Sequence, residues 1–477
     1  MAVDPSPEEH TRSRRSAVVF APLLGVLACA LLLFLPAQMS PDGWFAFLSG
    51  REIVAHGLPT HDALIVWGHG RQWVDQQWLA QLGYYGLYSV GGLRLALIVN
   101  AAVVVASVGA AIAAARWNGG SRLSVLLVAI PAVFVIGWEA SALRPQTLAL
   151  PLFVALAWLL IADGRRPSRR VFLIVPLLAL WANVHGTVVL AALVVVVYAA
   201  SSAISRRRLT GRDVALALLA VALPFASPYA PHLPGYYHAL LLNPELAKYV
   251  PDWMPTAPSA ATAPFYLLAV GTIYLLGRTR GSLPLFERVM LILLLILGVE
   301  ARRGMTWFAI FALLTVPIML EQIYPREVRI DSRRLSNALV ILPAAAVAAA
   351  ALVVALKPAH WFTTHYPPAA ARSVGRAAGG NSNVFANGAY ADWLLLQQPD
   401  LRGRVAYDAR FELLPDGRLA DAAAVSLGRA DWPRILAPFD VVVLRPEENE
   451  VRDELLRRGG WKRIPTDSRV VVLRRSV

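Results

Sequence analysis

The sequence predicts a polytopic α-helical membrane protein with about 11 transmembrane helices and a small α/β domain at its C-terminal end. Three observations predict it. Of 477 residues, 57% are hydrophobic and only 16% charged, too apolar for a chain whose whole surface meets water. The arginines gather in short loops between apolar runs, as cytoplasmic loops do. From about Pro367 the composition turns polar, and short β-rich runs alternate with helix-like segments. The net charge of +14 therefore reads as membrane topology and not as a nucleic-acid surface. The single cysteine, Cys29, excludes a disulfide framework and a cysteine-rich metal site.

A basic cytoplasmic tail, residues 1–16, carries Arg12, Arg14 and Arg15. The run Ala17–Leu35 is too long for the apolar stretch of a secretory signal and suits a first span. It opens the membrane domain, residues 17–356, whose large first extracytoplasmic loop covers 36–92. In that loop Trp78–Val90 reads as an amphipathic interfacial helix. Leu93–Ala115 then returns to the cytoplasm at Arg116 and Arg122. Leu123–Trp138 and Leu143–Ala162 enclose an outer turn with Glu139, and Val171–Asn183 and Thr187–Ile204 reverse outside at His185. Val214–Ala226 leads into an outer loop, Ser227–Pro258. Phe265–Leu276, Val289–Val299 and Met305–Leu320 follow, then an inner loop with Arg326, Arg329, Arg333 and Arg334, and a last span, Leu335–Leu356. An odd number of spans from a cytoplasmic N-terminus places residues 357–477 outside. In that domain "NVFAN", "DVVVLR" and "RVVVLRR" read as strands, and Tyr390–Gln398 and Val451–Arg458 as helices. No GxGxxG or P-loop pattern supports nucleotide binding.

Charges at membrane depth are costly and mark substrate or ion pathways. At the outer surface the sequence places Asp42, Arg51, Asp62, Asp75, Glu139, Arg144, His185, His232, Asp252, Glu300, Arg302 and Arg303. Asp42, on a "PDGW" turn, is either the N-cap of the following helix or a general base or metal ligand at the membrane surface. Arg302 and Arg303 either anchor to headgroups or bind phosphate. Arg144 either pairs with Glu139 or holds an anion. His185 in "WANVHG" suits a turn lining a cavity. Asp252 in "PDWMPT" either binds an acceptor or caps a turn. Trp44, Trp67, Trp73, Trp78 and Trp253 could stack on sugars or form an interfacial belt.

The first span, the acid just beyond it, "GREIVAHGLPTHD" and "WVDQQWLAQLGYYGLYSVGG" resemble bacterial integral-membrane glycosyltransferases of the GT-C superfamily. These are related to protein O-mannosyltransferases and lipid A aminoarabinose transferases. The resemblance implies a multi-pass protein of the bacterial inner membrane that takes a sugar from a polyprenyl-phosphate lipid. The acceptor would be an extracytoplasmic glycan or protein. Carried over, it makes Asp42 the candidate catalytic base; on physical grounds Arg144, His185, Arg302 and Arg303 suit the donor phosphate, whose departing charge cations and histidine stabilise, and Glu139, Asp252 and Trp253 are the expected contacts for acceptor or loop. Family members often carry a second acid beside the first, where Gly43 and Trp44 stand here. That departure leaves Asp75 as the second catalytic acid and leaves a divalent metal open. A glutamate commonly precedes Trp78 in the family, and here that residue is Gln77.

A competing class is a non-catalytic membrane protein: a transporter, an anchor displaying its C-terminal domain, or a degenerate GT-C relative. Transport predicts charges near mid-membrane and internal repeats. The sequence shows neither clearly, and its polar residues gather at one face.

Overall fold

A computed structural model of the protein describes residues 38–279, 281–323, 345, 348–349 and 351–476. The expected first span with Cys29, the loop arginines Arg326 to Arg334 and most of the expected last span lie outside the described residues.

Helix α1, Pro41–His56, starts where Ser40 accepts a hydrogen bond from the Gly43 amide and Pro41 presets the first turn. It stops at Gly57, whose φ of 82° a side chain would resist. Helix α2, Trp78–Trp117, is broken at Gly91 and Gly92, the latter at φ 63°. The expected interfacial helix and the span after it are thus two arms of one bent helix. Helices α3, Arg122–Ala140, and α4, Ala149–Arg165, follow, with a 3-10 turn, Pro145–Leu148, leading into α4. Then come α5, Ile174–Val184, α6, Val188–Arg206, and α7, Gly211–Ala222. Short helices α8, Leu233–Leu241, and α9, Pro244–Tyr249, precede α10, Ala263–Arg278, α11, Leu285–Glu300, and α12, Met305–Ile323.

Helix α12 is the axis of the bundle. Trp307, Phe308 and Phe311 are buried and pack with Phe153, Trp181, Phe265 and Phe286 in one apolar core. Four helical stretches among the described residues are long and apolar enough to cross a membrane. They are Trp78–Trp117, Pro145–Arg165, Val188–Arg206 and Arg302–Ile323. A fifth arises if Gly211–Phe225 and Ala230–Tyr249, bent by 102°, count as one broken span. The chain is a multi-pass membrane protein by this composition, but the expected eleven spans are not what the described residues show. Helix α5, with 11 residues, rises about 16 Å, half of a hydrocarbon core of about 30 Å.

The arginine-rich end is tied together by its own acids. Arg212 binds the buried Asp163 at 2.5 Å, and Arg206 binds Asp213 at 2.6 Å. Arg165 bonds the Asn118 side chain at 2.7 Å.

Residues beyond 357 build the expected α/β unit. Its helices are α13, Ala359–Phe362, α14, Pro368–Ala378, α15, Ala391–Gln397, α16, Arg418–Ser426, α17, Trp432–Leu436, and α18, Asn449–Arg458. Its strands are β1, Val384–Ala386, β2, Val441–Leu444, β3, Trp461–Ile464, and β4, Val471–Arg475, in the order β1-β2-β4-β3. Strands β1 and β2 are parallel, with Phe385 opposite Val442. The other two pairings are antiparallel. The three expected strands fall on β1, β2 and β4. Strand β3 went unseen because its centre is Lys462 and Arg463, which face water.

The first loop joins this sheet. Ile65 and Val384 both bridge to Val405, and the Val66 amide donates to the Val405 carbonyl at 2.8 Å. Trp67 donates to Ala406 at 3.0 Å, and Gly403 donates back to Leu64 at 2.9 Å. Loop residues Trp44, Leu64, Ile65 and Trp73 therefore share one hydrophobic core with Phe385, Trp393 and Phe439.

Candidate functional site at the sheet-bearing end

Ser40 both caps α1 and donates its hydroxyl to the Leu143 carbonyl at 3.0 Å, which fixes the start of α1 against the turn before α4. The N-cap expected at Asp42 is therefore Ser40. Asp42 lies in the first helical turn, where the helix dipole favours its charge, and its side chain is 45% exposed. Glycine at 43 has a steric cause. A Cβ there would lie 2.8 Å from the Leu143 oxygen, so a second acid cannot follow Asp42.

Arg144 stands at the head of the 3-10 turn and joins two carboxylates. Its Nε lies 3.2 Å from Asp42 Oδ2, and an Nη lies 2.7 Å from Asp252 Oδ2. Two residues on, Gln146 faces the α11–α12 turn, where an Arg303 Nη lies 3.5 Å from its Oε1. The Arg303 guanidinium also covers the Trp253 ring at 4.3 Å, which occupies one face of that indole. Backbone bonds hold the pieces in place: Arg302 N donates to Met254 O at 3.1 Å, and Thr256 N donates to Val299 O at 2.9 Å. Gly304 permits the tight turn, because a Cβ there would fall 2.3 Å from the Leu297 oxygen. Asp42, Arg144, Asp252, Trp253 and Arg303 thus converge from four separate stretches of chain. Among the described residues Arg303 has no carboxylate partner. Glu139 lies in the last turn of α3, and its side chain is outside the described residues.

Asp75 sits deeper, 2% exposed, and accepts a hydrogen bond from Ser49 at 2.8 Å. Burial raises its pKa to about 6, although the Ser49 bond and the Arg410 charge oppose the rise. Burial, with Arg303 nearby, lowers the His185 pKa to about 3, so its imidazole is neutral. The Thr187 amide donates to His185 Nδ1 at 3.2 Å, which leaves the proton on Nε2. His185 can donate one hydrogen bond but brings no charge to a phosphate.

Sequence reasoning missed the contribution of residues 408–412. Arg410, 3% exposed, bonds Asp62 at 2.7 Å and Asp408 at 2.5 Å, and lies 4.0 Å over Trp73. Asp392, 1% exposed, has its pKa raised by burial and by Asp408 beside it. Glu412 has its pKa raised to about 7 by burial. The one available signal was "YDARFE", three charges between apolar flanks without a helical or strand period. Other outer charges are structural: Arg51 bonds the carbonyls of Leu395 and Leu396 at the end of α15. His232 and Glu300 stay exposed. Of the tryptophans, Trp67 is stacked on Tyr407 and covered by Arg418, and Trp78 donates to Asn183 at 2.9 Å. Among the described residues no three His, Cys, Asp or Glu side chains are grouped to hold a metal ion.

This architecture is similar to that of a known enzyme. ArnT from Cupriavidus metallidurans, in its apo state, aligns over 96% of this chain and 98% of its own at a TM-score of 0.55 and 14% identity. The chain has the GT-C fold of ArnT. The structure of the same enzyme bound to undecaprenyl phosphate aligns over 96% of this chain and 97% of its own, at a TM-score of 0.51 and 13% identity. No protein-family model matches the chain, and no curated protein sequence does. At such identity the likeness establishes the fold, which the resemblance in the first loop anticipated. The roles of the individual residues rest on the geometry above.

Proposed function

We propose that the protein is a glycosyltransferase that moves a sugar from a polyprenyl-phosphate-linked donor to an extracytoplasmic acceptor. The observation that carries this reading is Arg303, a cation without a carboxylate partner among the described residues, held by Gln146 and Trp253 on the same rim as Asp42. A departing polyprenyl phosphate concentrates negative charge, and a preorganised guanidinium stabilises it as it leaves. Support for a lipid-phosphate ligand comes from the shared fold with ArnT, which has been seen bound to undecaprenyl phosphate. The arginine-rich loops at the other end of the bundle support the reading in which the site and residues 357–477 lie outside the cytoplasm.

In this mechanism Arg303 binds the donor phosphate, with His185 Nε2–H and the Gln146 amide as neutral donors beside it and Arg302 in the same turn. Asp42 orients the acceptor hydroxyl at the anomeric carbon. Arg144, shared between Asp42 and Asp252, holds that carboxylate in place and turns to the phosphate as charge builds there. Asp75 lies below as a buried carboxyl that exchanges its proton near pH 6.

The test is sugar release or transfer from a mixture of polyprenyl-phosphate sugars in membranes carrying the wild type, Asp42→Asn or Arg303→Gln. Transfer by the wild type that both variants lose, while still inserting and folding, supports the assignment. A wild type that binds undecaprenyl phosphate and transfers nothing sinks it in favour of a non-catalytic protein.

A further inference from the structure

The carboxylates of the first loop are poorly placed to take a proton from an arriving hydroxyl. Asp42 is bound by Arg144 at 3.2 Å, and Asp75 is 2% exposed and bonded to Ser49. A third carboxylate reaches the same space from the far end of the chain. Glu412 sits on the 3-10 turn Phe411–Leu413, which packs on α8 beside Tyr236 and Tyr237. Among the described residues it forms no ion pair and accepts no hydrogen bond from another residue. Its backbone is nonetheless fixed, because Arg410 two residues earlier is clamped between Asp62 and Asp408 and the Leu413 amide donates to the Arg410 carbonyl at 3.0 Å.

The Tyr236 hydroxyl, on the helix that this turn packs against, lies near Gly186 and feels the charges of Glu412, Arg303 and Asp75. Polar atoms in this region are unsatisfied. Gln76, 1% exposed, uses its amide nitrogen on the Ala182 carbonyl at 2.9 Å and leaves Oε1 without a partner. This oxygen lies next to Gly186, close to the Tyr236 hydroxyl. Gln146, 5% exposed, leaves Nε2 without a partner beside Arg303. Buried amide groups lacking partners call for a ligand that supplies them.

We propose that Glu412, supplied by the C-terminal region, is the general base that takes the proton of the acceptor hydroxyl. The inference rests on the glycosyl-transfer reading and extends it to a residue of the C-terminal region. The acceptor O–H proton passes to the Glu412 carboxylate as the acceptor oxygen bonds to the anomeric carbon. The bond from that carbon to the phosphate oxygen breaks, and its electron pair leaves with the polyprenyl phosphate on Arg303. Gln76 Oε1, which has no partner, is available to accept a hydrogen bond from a hydroxyl of the acceptor. Burial suits Glu412 to the task by bringing its pKa to about 7, where a carboxylate holds a proton and still releases it. The titratable and charged groups around it are Tyr236 on α8, Asp75 on the first loop, and Asp408 and Arg410 on its own segment.

The experiment uses the full chain in nanodiscs, with a panel of undecaprenyl-phosphate sugars as donors and water or a soluble glycan as acceptor. Binding of undecaprenyl phosphate serves as the control for folding. Wild-type turnover is expected to rise with pH through about 7 as Glu412 loses its proton. Glu412→Gln is expected to lower turnover about 100-fold or more and to abolish that rise, with undecaprenyl phosphate binding kept. Glu412→Asp is expected to recover part of the rate with a displaced midpoint. A Glu412→Gln protein with wild-type turnover and pH profile overturns the base and leaves glycosyl transfer standing. A wild type that binds undecaprenyl phosphate yet turns over no donor overturns both.

Discussion

Arg410 and Arg144 each stand between two carboxylates, one at the joint of the first loop with the C-terminal region and the other on the site rim. Arg410 is 3% exposed with both partners at 0%, whereas Arg144 is 22% exposed with partners at 45% and 39%. A buried triad of this kind cannot lose one member without stranding charge away from water. A half-exposed one can trade a carboxylate for a phosphate or a hydroxyl at little cost, because water still solvates whichever group is released. The same chemistry thus makes a fixed joint in one place and an exchangeable site in the other.

The largest effect is expected at Arg410. Arg410→Met leaves Asp62 and Asp408 buried without their cation, and a loss of about 3–5 kcal/mol in unfolding free energy is expected. Chemical denaturation in detergent measures it, and a loss below about 1 kcal/mol would mean that water reaches the joint. Asp75 gives the next largest effect. Its folded pKa of about 6 lies above the usual value near 3.9, so the native state binds the extra proton and the unfolded state does not. The Asp75 contribution to native stability is therefore greatest at low pH and falls, by about 2–3 kcal/mol, as pH rises from about 4 through about 6. Unfolding followed against pH should show this fall in the wild type and a flatter curve in Asp75→Asn. On the open side, Arg303→Gln should weaken undecaprenyl phosphate binding roughly tenfold to a hundredfold, the worth of a charge-assisted hydrogen bond. The smallest effect belongs to Arg144→Gln, whose unfolding free energy should stay within about 1 kcal/mol of wild type although turnover falls.

Much of this organisation was legible in the sequence, for physical reasons that differ by region. Hydropathy located most helices, because burial in lipid demands apolar side chains all round. The break expected between Val90 and Leu93 falls at Gly91 and Gly92, where Gly92 at φ 63° adopts a conformation other residues resist. The continuous apolar runs at β1, β2 and β4 announced strands buried on both faces. The described residues show four or five long apolar stretches where eleven spans were expected, because helices such as α5, with 11 residues, are short of a full crossing. Asp42, Asp75, Arg144 and Arg303 could be nominated because a charge next to an apolar run is conspicuous. Glu412 and Arg410 could not, because they lie in a polar region where charge is ordinary and only the fold carries them to Trp73 and Tyr236. The glycine at 43 looked like a missing acid and is a close approach to Leu143.

The pairing of Ile65 with Val405, and of Asp62 with an arginine 348 residues later, also sets the order of events during synthesis. At about 5–20 residues per second a ribosome needs roughly half a minute to make the intervening chain. Through that interval the first loop has no strand neighbour, Asp62 has no cation and the rim around Asp42 has no far wall. A chain cut short before Val405 would lack both the strand neighbour of Ile65 and the cation of Asp62, so the first loop is completed only by a segment made long after it.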